Sequence, residues 1–449
     1  MKQVLKIGSS ASRLLVASAL ILQGSSSAHT QNTTSQNSNA DGVRSTEASA
    51  SDLNFLGVDV NLPSLSDSLV NIDSAYRRAM FRHGTALRFF IYTQYAQNTL
   101  DGPVAPDRQV YIGQRPFEYG IVQPIFTADL RQLHLRHAQL NMSGVWYWVS
   151  WNPAGPKTLQ LWTLYFYKAF VENRVEIKMG YNSNDLEFIG LPVGGSTATG
   201  IQGVYAVLPY EVGMAYFPLT APSFSVRFQG PKDTYFKADA QRSIDAGGGP
   251  ATVARNHTGF RFIPHGDKLL LVDELGYRRD STPSSRETWF RSGYMRNSTL
   301  YPNALTDKQQ PGNFCAYALM DYQLRQPEPQ HPIHGLYIGG SAITVPKSLN
   351  QYARYYEARL YQDGPFRSRP DDVLSVVASH TGYSNYFTNK FTAEGKTVWR
   401  SSTSLTGSYS FRVSGGNYVS FGLSYIVGPA ITPRVPNALN VVANWNLFF

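Results

Sequence analysis

The feature that most constrains this chain is an alternation of apolar and polar side chains that recurs up to its last residue. A period of two places successive side chains on opposite faces of a β-strand. In residues 439–449 one face holds only apolar and aromatic side chains, namely Leu439, Val441, Ala443, Trp445, Leu447 and Phe449. The opposite face carries Asn440, Asn444 and Asn446. This segment therefore predicts a strand with one wholly apolar face.

The same two-faced pattern appears in several upstream segments. They are residues 87–95, 174–179, 223–228, 355–361, 405–414 and 418–427. A soluble sheet alternates with the same period, so a single strand would not distinguish the two environments. Many such segments of about ten residues are typical of outer-membrane barrels, which must close because lipid cannot satisfy an open sheet edge. We therefore predict an all-β fold, a closed antiparallel transmembrane β-barrel of about 16 strands (roughly 14–18).

The composition agrees with this prediction and excludes other classes. Charged residues make up 16% of the chain, below the roughly 25% of soluble proteins. The 28 Tyr and 7 Trp residues suit the aromatic girdles that flank the hydrocarbon layer. The single cysteine, Cys315, excludes an intramolecular disulfide and a four-cysteine zinc site. The net charge of +9 does not by itself require a nucleic-acid partner.

The start of the chain predicts export. Lys2, Lys6 and Arg13 precede or enter a short apolar run, residues 14–22, and Ser26-Ser27-Ala28 offers a cleavage site. This arrangement is typical of a secretory signal peptide, predicted here as residues 1–28 and removed after export through the inner membrane. We therefore expect the mature protein in the outer membrane of a Gram-negative bacterium.

Three further regions follow the predicted signal peptide. Residues 29–51 are rich in Ser, Thr and Asn, bury little apolar surface, and predict a disordered linker. Residues 52–84 form an N-terminal segment, in which apolar residues at helical spacing predict a short helix within 64–82 that ends at Gly84. Residues 85–449 are assigned to the barrel.

If the apolar faces meet lipid, the polar faces line the lumen. This assignment predicts seven basic and three acidic pore-lining residues: Arg88, Arg174, Lys178, Arg227, Lys237, Arg359 and Arg412, with Glu176, Asp239 and Glu357. A basic lumen disfavours cations and favours anions or neutral solutes. The alternative is that these charges only brace the wall through cross-strand pairs.

Several segments resemble the carbohydrate-selective porin (OprB) family of Gram-negative outer membranes. They are the sequence YYEARL at 355–360, DGPF at 363–366, RPDDVL at 369–374, residues 174–180, residues 270–277 and the C-terminal strand. The resemblance implies a barrel of about 16 strands that passes monosaccharides by diffusion through a constriction of charged and aromatic side chains. The chain departs from the family pattern at residues 73–76 and at Tyr181, where the family carries a D-W-G-G-like stretch and a basic residue.

The expected function is passive, carbohydrate-selective diffusion of small sugars, with no enzymatic activity, no catalytic residue, no cofactor and no metal ligand. The pairs His134/His137 and His331/His334 do not favour a metal site, because residues three apart face opposite sides of a strand and the second pair lies in a Pro-rich loop. The expected partners are carbohydrates, outer-membrane lipid and, through the strand that ends at Phe449, the barrel-assembly machinery, but no nucleic acid.

Three alternatives remain open at this stage. The basic bias also suits a polysaccharide-export channel or a channel for sugar acids and other anions. An outer-membrane barrel enzyme would need a Ser/His/acid constellation, and none is visible in the sequence. A structural barrel with a plugged lumen would show the same alternation.

Overall fold

The computed structural model of this chain describes residues 53–59, 64–189 and 204–449. The predicted signal peptide, 1–28, and the predicted linker, 29–51, lie outside these residues. No helix within the described part of the chain is long and apolar enough to cross a membrane.

Sixteen strands of the described residues close into one antiparallel barrel. They are β1 (Thr85–Asn98), β2 (Phe117–Asp129), β3 (Ala138–Val149), β4 (Thr158–Phe170), β5 (Val175–Asn182), β6 (Ala221–Gln229), β7 (Thr234–Arg242), β8 (Leu269–Arg279), β9 (Thr288–Asn297), β12 (Asn313–Arg325), β13 (Gly335–Thr344), β14 (Tyr352–Asp363), β15 (Val373–Tyr383), β16 (Ser401–Ser414), β17 (Asn417–Val427) and β18 (Ala438–Phe448). Two short strands, β10 (Tyr301–Pro302) and β11 (Gln309–Gln310), pair only with each other. The predicted fold class and strand number are confirmed.

The barrel closes where its first strand meets its last. β1 pairs with β18 from Phe90 opposite Phe448 to Asn98 opposite Asn440, and the remaining strands pair in chain order, with β9 beside β12. Closure leaves no strand edge with unpaired backbone groups, which is the condition for β-structure in hydrocarbon. The C-terminal strand therefore has neighbours on both sides, β17 and β1.

The wall has an apolar outer face and a largely polar inner face. Large apolar side chains remain exposed along the outside, as Trp146, Met179, Phe224, Leu275, Leu360, Leu405, Phe421, Leu423 and Trp445. Their chain neighbours, which point inward, are mostly buried Ser, Thr, Asn, Gln or charged residues. An exposed apolar surface of this extent is unusual for a soluble monomer and typical of transmembrane barrels.

The two ends of the barrel differ in their connections. Both barrel termini and the short turns lie at one end, the short-turn end, whose turns are residues 130–137, 171–174, 230–233, 280–287, 326–334, 364–372 and 415–416. The opposite, long-loop end holds the longer connections, including 183–220 and 243–268. Helices α2 (Val204–Glu211), α3 (Gly249–Arg255) and α4 (Asn385–Ala393) belong to loops of this end.

The predicted N-terminal helix is present but shorter than the pattern indicated. α1 spans Ala75–Arg82, and the Ser74 side chain caps it by accepting a hydrogen bond from the Arg77 amide. Upstream, the Asn71 side chain accepts from the Asp73 amide. Such local side-chain bonds compete with helical hydrogen bonding, so residues 64–74 form turns instead of a first helical part. Gly84, in a left-handed conformation with φ 64°, leads from the helix into β1.

Candidate functional site in the barrel lumen

One side of the inner wall, on β15–β18, presents hydroxyl and amide groups. Ser or Thr occupies many of the inward positions of β15–β17, between outward residues that are mostly apolar. The hydroxyls hydrogen-bond across strands in the pairs Ser375/Ser408, Ser379/Ser404 and Thr406/Ser424, each at 2.7 Å, and Ser410/Ser420 at 2.9 Å. The amides of Asn440, Asn444 and Asn446 extend this surface onto β18. The surface formed by these hydroxyls and amides on β15–β18 is called the hydroxyl face. The result is an uncharged polar surface.

A charged group on β12–β14 centres on Arg359. Its Nε and Nη2 donate to the two carboxylate oxygens of Asp321 at 3.0 and 2.7 Å, and its Nη1 donates to Glu357 at 2.5 Å and to the Ser341 hydroxyl at 2.8 Å. Gly339 on β13 makes room, since a Cβ there would lie 2.4 Å from the Arg359 Nε. The guanidinium thus lies buried between two carboxylates, a bidentate geometry that fixes its orientation.

Tyrosines complete the Arg359 group. The rings of Tyr337 and Tyr361 stack with centroids 4.8 Å apart, and the Tyr361 hydroxyl donates to Asp321 at 3.4 Å. The Tyr355 hydroxyl donates to Glu357. Both carboxylates therefore have donors besides Arg359, as buried charges require.

A second charged group gathers around Asp59, which lies on the N-terminal segment. The Asp59 carboxylate is 2.9 Å from Arg227, 2.6 Å from Lys237 and 3.6 Å from Arg278, and Lys237 also pairs with Glu274 at 2.7 Å. Burial alone would raise the pKa of the Asp59 carboxyl, but the charges of Lys237, Arg227 and Arg278 outweigh burial and hold the pKa well below its ordinary value. Asp59 is therefore ionised and neutralises part of this basic wall.

The Glu274 carboxylate is also held by two tyrosines. It accepts hydrogen bonds from the Tyr235 hydroxyl at 2.9 Å and the Tyr317 hydroxyl at 2.7 Å. The two rings lie across glycines on neighbouring strands, where a Cβ at Gly276 or Gly293 would come within 2.1 or 2.3 Å of ring atoms. Glycine at both positions is what allows the tyrosines to lie against the wall.

Two non-strand segments line part of the inner wall. The first is the N-terminal belt, residues 53–59, and the second is the inward loop, the described residues 183–189 and 214–220. Phe55 of the belt stacks on Trp162 with centroids 6.0 Å apart, and Phe217 of the inward loop meets the same indole edge-on at 5.7 Å. Glu187 of the inward loop pairs with Lys178 at 2.5 Å. Both segments thus narrow the barrel on the side opposite the hydroxyl face.

The structure places all but one of the predicted pore-lining residues on the inner side of the wall. Lys178, Arg227, Lys237, Glu357 and Arg359 belong to the groups above. The remaining ones are Arg88, which donates to Thr127 at 3.2 Å, Glu176, bonded to Tyr167, Asp239, which accepts from Asn184 at 2.8 Å, and Arg412, which bridges Asp67 and Asp371 at the short-turn end.

Arg174 requires a correction. The pattern placed it on the inner face of a strand, but β5 begins at Val175, and Arg174 lies exposed in the turn 171–174. Residues 171–173 there have positive φ, a conformation that ends strand pairing. Alternation alone cannot detect such a boundary, because a turn residue continues the same spacing.

The sequence analysis missed several acids of the inner wall. Asp321 lies on the same face of β12 as Tyr317 and Leu319, so the sequence pattern did not indicate a polar inner face there. Glu274 alternates with Leu270 and Val272 in a segment with apolar residues on both faces. Asp59 and Glu187 lie outside strands, where no periodicity indicates burial. With these acids present, the predicted seven-to-three ratio understates the negative charge that faces the lumen.

The first histidine pair lies in a turn and not in a strand, whereas the second lies in a loop as expected. His134 and His137 belong to the turn 130–137, and His331 stacks on His334 in another turn, with ring centroids 5.0 Å apart. In the described part of the chain, no group of three or more His, Cys, Asp or Glu residues could hold a metal ion.

Comparison with protein families decides what this barrel is. The model of the carbohydrate-selective porin, OprB family, matches residues 122–443. The chain belongs to the OprB family. Comparison with curated protein sequences returned no match.

Solved structures agree with the OprB assignment at the level of the fold. The high-pH structure of Pseudomonas putida OprB superposes with a TM-score of 0.73 at 14% identity, covering 85% of this chain and 98% of that one. The low-pH structure of the same protein gives a TM-score of 0.54 at 13% identity, with 86% and 100% covered. The expected family, barrel and carbohydrate-selective porin function are confirmed, and membership implies the outer membrane.

Proposed function

We propose that this OprB-family porin lets small neutral sugars diffuse passively between the hydroxyl face and the two charged groups. The observation that carries the proposal is that one closed wall holds both kinds of surface: the hydroxyl face on β15–β18 lies across the lumen from the charged group around Asp59 on β6–β8, and the Arg359 group on β12–β14 lies beside the hydroxyl face. The hydroxyls and amides, which are buried against one another, keep that side of the path polar and uncharged. The other side offers guanidinium and tyrosine groups that can exchange hydrogen bonds with sugar hydroxyls in place of water. Each contact is weak and shared with water, so a sugar is not held tightly enough to stop its exit.

Among the inner charges, we propose two roles. Arg227 and Arg412 keep 20% and 32% of their side chains exposed, so they are the cations we assign to direct contact with solute. Glu176 is half-buried beside the path, whereas the Glu357 side chain is buried against Arg359. The buried Arg88, Lys178, Lys237 and Arg359 act as fixed charges that brace the wall and shape its field, and the buried Asp239 braces the wall through its hydrogen bonds from Asn184 and Gln241. Arg174 is not part of the proposed lining.

We further propose that the protein has no enzymatic activity and no cofactor, since diffusion needs neither. Its short-turn end faces the periplasm, as in other barrels of this kind. The proposed organisation is a signal peptide at 1–28, a linker at 29–51, an N-terminal segment at 52–84 and the barrel at 85–449. Outside, the apolar face contacts lipid, and the strand ending at Phe449 is the segment we assign to the assembly machinery.

Single-channel recording in planar bilayers with a panel of sugars tests this function. We expect a steady conductance that neutral sugars reduce in a concentration-dependent manner. Arg227→Gln should weaken the sugar block by up to about tenfold, because a hydrogen bond to a charged group contributes about 1.5 kcal/mol. Arg279→Gln is the matched control, because this substitution removes the same charge at an exposed position.

Other outcomes would contradict the proposal. A barrel without conductance would favour a plugged or enzymatic barrel. A conductance that polyanions or sugar acids block but neutral sugars do not would favour the export or anion channel.

A further inference from the structure

The N-terminal belt, residues 53–59, is bound along the inner wall across successive strands. Its backbone oxygens accept hydrogen bonds from the wall: Gln139 on β3 donates to Asn54 at 2.7 Å, Tyr165 on β4 to Leu56 at 2.7 Å, and Lys178 on β5 to Gly57 at 2.8 Å. The belt returns one bond, from the Leu56 amide to the Gln139 side chain at 3.2 Å. Side chains that point into the lumen therefore serve as fixed partners of this segment.

Two residues of the belt fit the wall closely. Phe55 is buried and meets the Tyr165 ring edge-on at 5.8 Å, in addition to its stack on Trp162. Gly57 has φ 75°, and a Cβ on it would lie 2.9 Å from the Tyr167 ring and 3.2 Å from the Lys178 side chain. A residue with a side chain would meet both steric contact and backbone strain there. The belt therefore packs against the inner wall with close steric fit at both residues.

Asp59 ends the belt at the most basic part of the wall. It faces Arg227 on β6, Lys237 on β7 and Arg278 on β8, and its amide donates to the Leu186 oxygen of the inward loop at 2.9 Å. Four other acids lie near this point: Glu274 pairs with Lys237, Glu187 with Lys178 and Asp280 with Arg278 at 3.4 Å, and Glu176 lies opposite Arg227 in the strand register. Among the described residues, the one carboxylate within ion-pair distance of Arg227 is that of Asp59. The same carboxylate lies 3.6 Å from Arg278.

We propose that the N-terminal belt is a constriction element of the pore, and that Asp59 is the residue that sets its charge selectivity. The proposal rests on the proposed function, because it assigns the segment that narrows and neutralises the sugar path. With Asp59 in place, each of these three cations has a carboxylate partner, and the path favours neutral solutes. Without it, Lys237 and Arg278 keep Glu274 and Asp280, but Arg227 loses the carboxylate within ion-pair distance. The wall then concentrates anions, because added positive charge in a narrow channel raises the local anion concentration.

The reversal potential across a KCl gradient measures this charge effect. Asp59→Asn should raise the chloride-to-potassium permeability ratio at least about threefold, whether or not the belt stays in place, because both outcomes remove the compensating carboxylate. Asp233→Asn is the control, because it makes the same change in the exposed turn 230–233 and should leave the ratio unchanged. Asp59→Glu, which keeps the carboxylate, should retain the wild-type ratio.

A second variant tests the constriction without changing any charge. Gly57→Ala should displace the belt and raise single-channel conductance, because the added Cβ meets the Tyr167 ring. If Asp59→Asn and Gly57→Ala both match the wild type, the proposal is wrong, even when sugars still block the channel. If the selectivity shifts as expected but no sugar blocks the wild type, the proposal about the N-terminal belt is supported and the proposed sugar function is wrong.

Discussion

Arg359→Met is expected to lower the free energy of unfolding by about 3–5 kcal/mol, the cost of leaving a buried carboxylate without its partner. The Arg359 side chain is fully buried and holds both Asp321 and Glu357. Methionine fills a similar volume but offers no donor, so two carboxylates would remain close together without a cation. Their hydrogen bonds from Tyr361 and Tyr355 would offset only part of that loss.

Urea titration of the protein folded in lipid vesicles, followed by tryptophan fluorescence, measures this change. Arg354→Met on the same strand is the matched control, since Arg354 is exposed, and it should cost less than about 1 kcal/mol. Equal midpoints for the two variants would show that the Arg359 group does not brace the wall.

Leu423→Arg is expected to destabilise the barrel by about 2–4 kcal/mol, the cost of a cation on the lipid face near the bilayer midplane. Leu423 lies near the middle of β17 (Asn417–Val427), and its side chain is 55% exposed on the outer face. In water such a substitution on an exposed position would be nearly neutral. The size of the effect therefore reports the surrounding solvent.

The folded fraction of Leu423→Arg in vesicles can be read from gel mobility without boiling and from the urea midpoint. Leu423→Met preserves volume and apolarity and should behave as the wild type. A Leu423→Arg variant as stable as Leu423→Met would mean that hydrocarbon does not contact this face.

Much of the wall was accessible to sequence reasoning because strands with one apolar and one polar face alternate with a strict period of two. The outward positions of Leu405, Phe421 and Trp445, and the inward position of Arg359, all follow from alternation. The C-terminal strand was the clearest case, and it is the strand that closes the barrel against β1.

The interior was less accessible, because its contacts join residues far apart in the chain. Asp59 meets Lys237 across 178 positions, and no local pattern anticipates such a pair. Asp321 was hidden by apolar neighbours on its own face, and Arg174 by a turn that continued the spacing. The predicted charges other than Arg174 lie on the inner side of the wall, but the sequence did not identify their partners, which decide the electric field in the lumen.

The measurement that tests the central claim most directly is quenching of single tryptophans by lipids with brominated acyl chains. The claim is that hydrocarbon contacts the outer face and that the inner face is shielded from it. A variant that keeps only Trp445, 49% exposed on the outside, should be strongly quenched, whereas one that keeps only Trp162, which is 0% exposed on the inner wall, should not. Quenching of Trp162, or none of Trp445, would contradict the account.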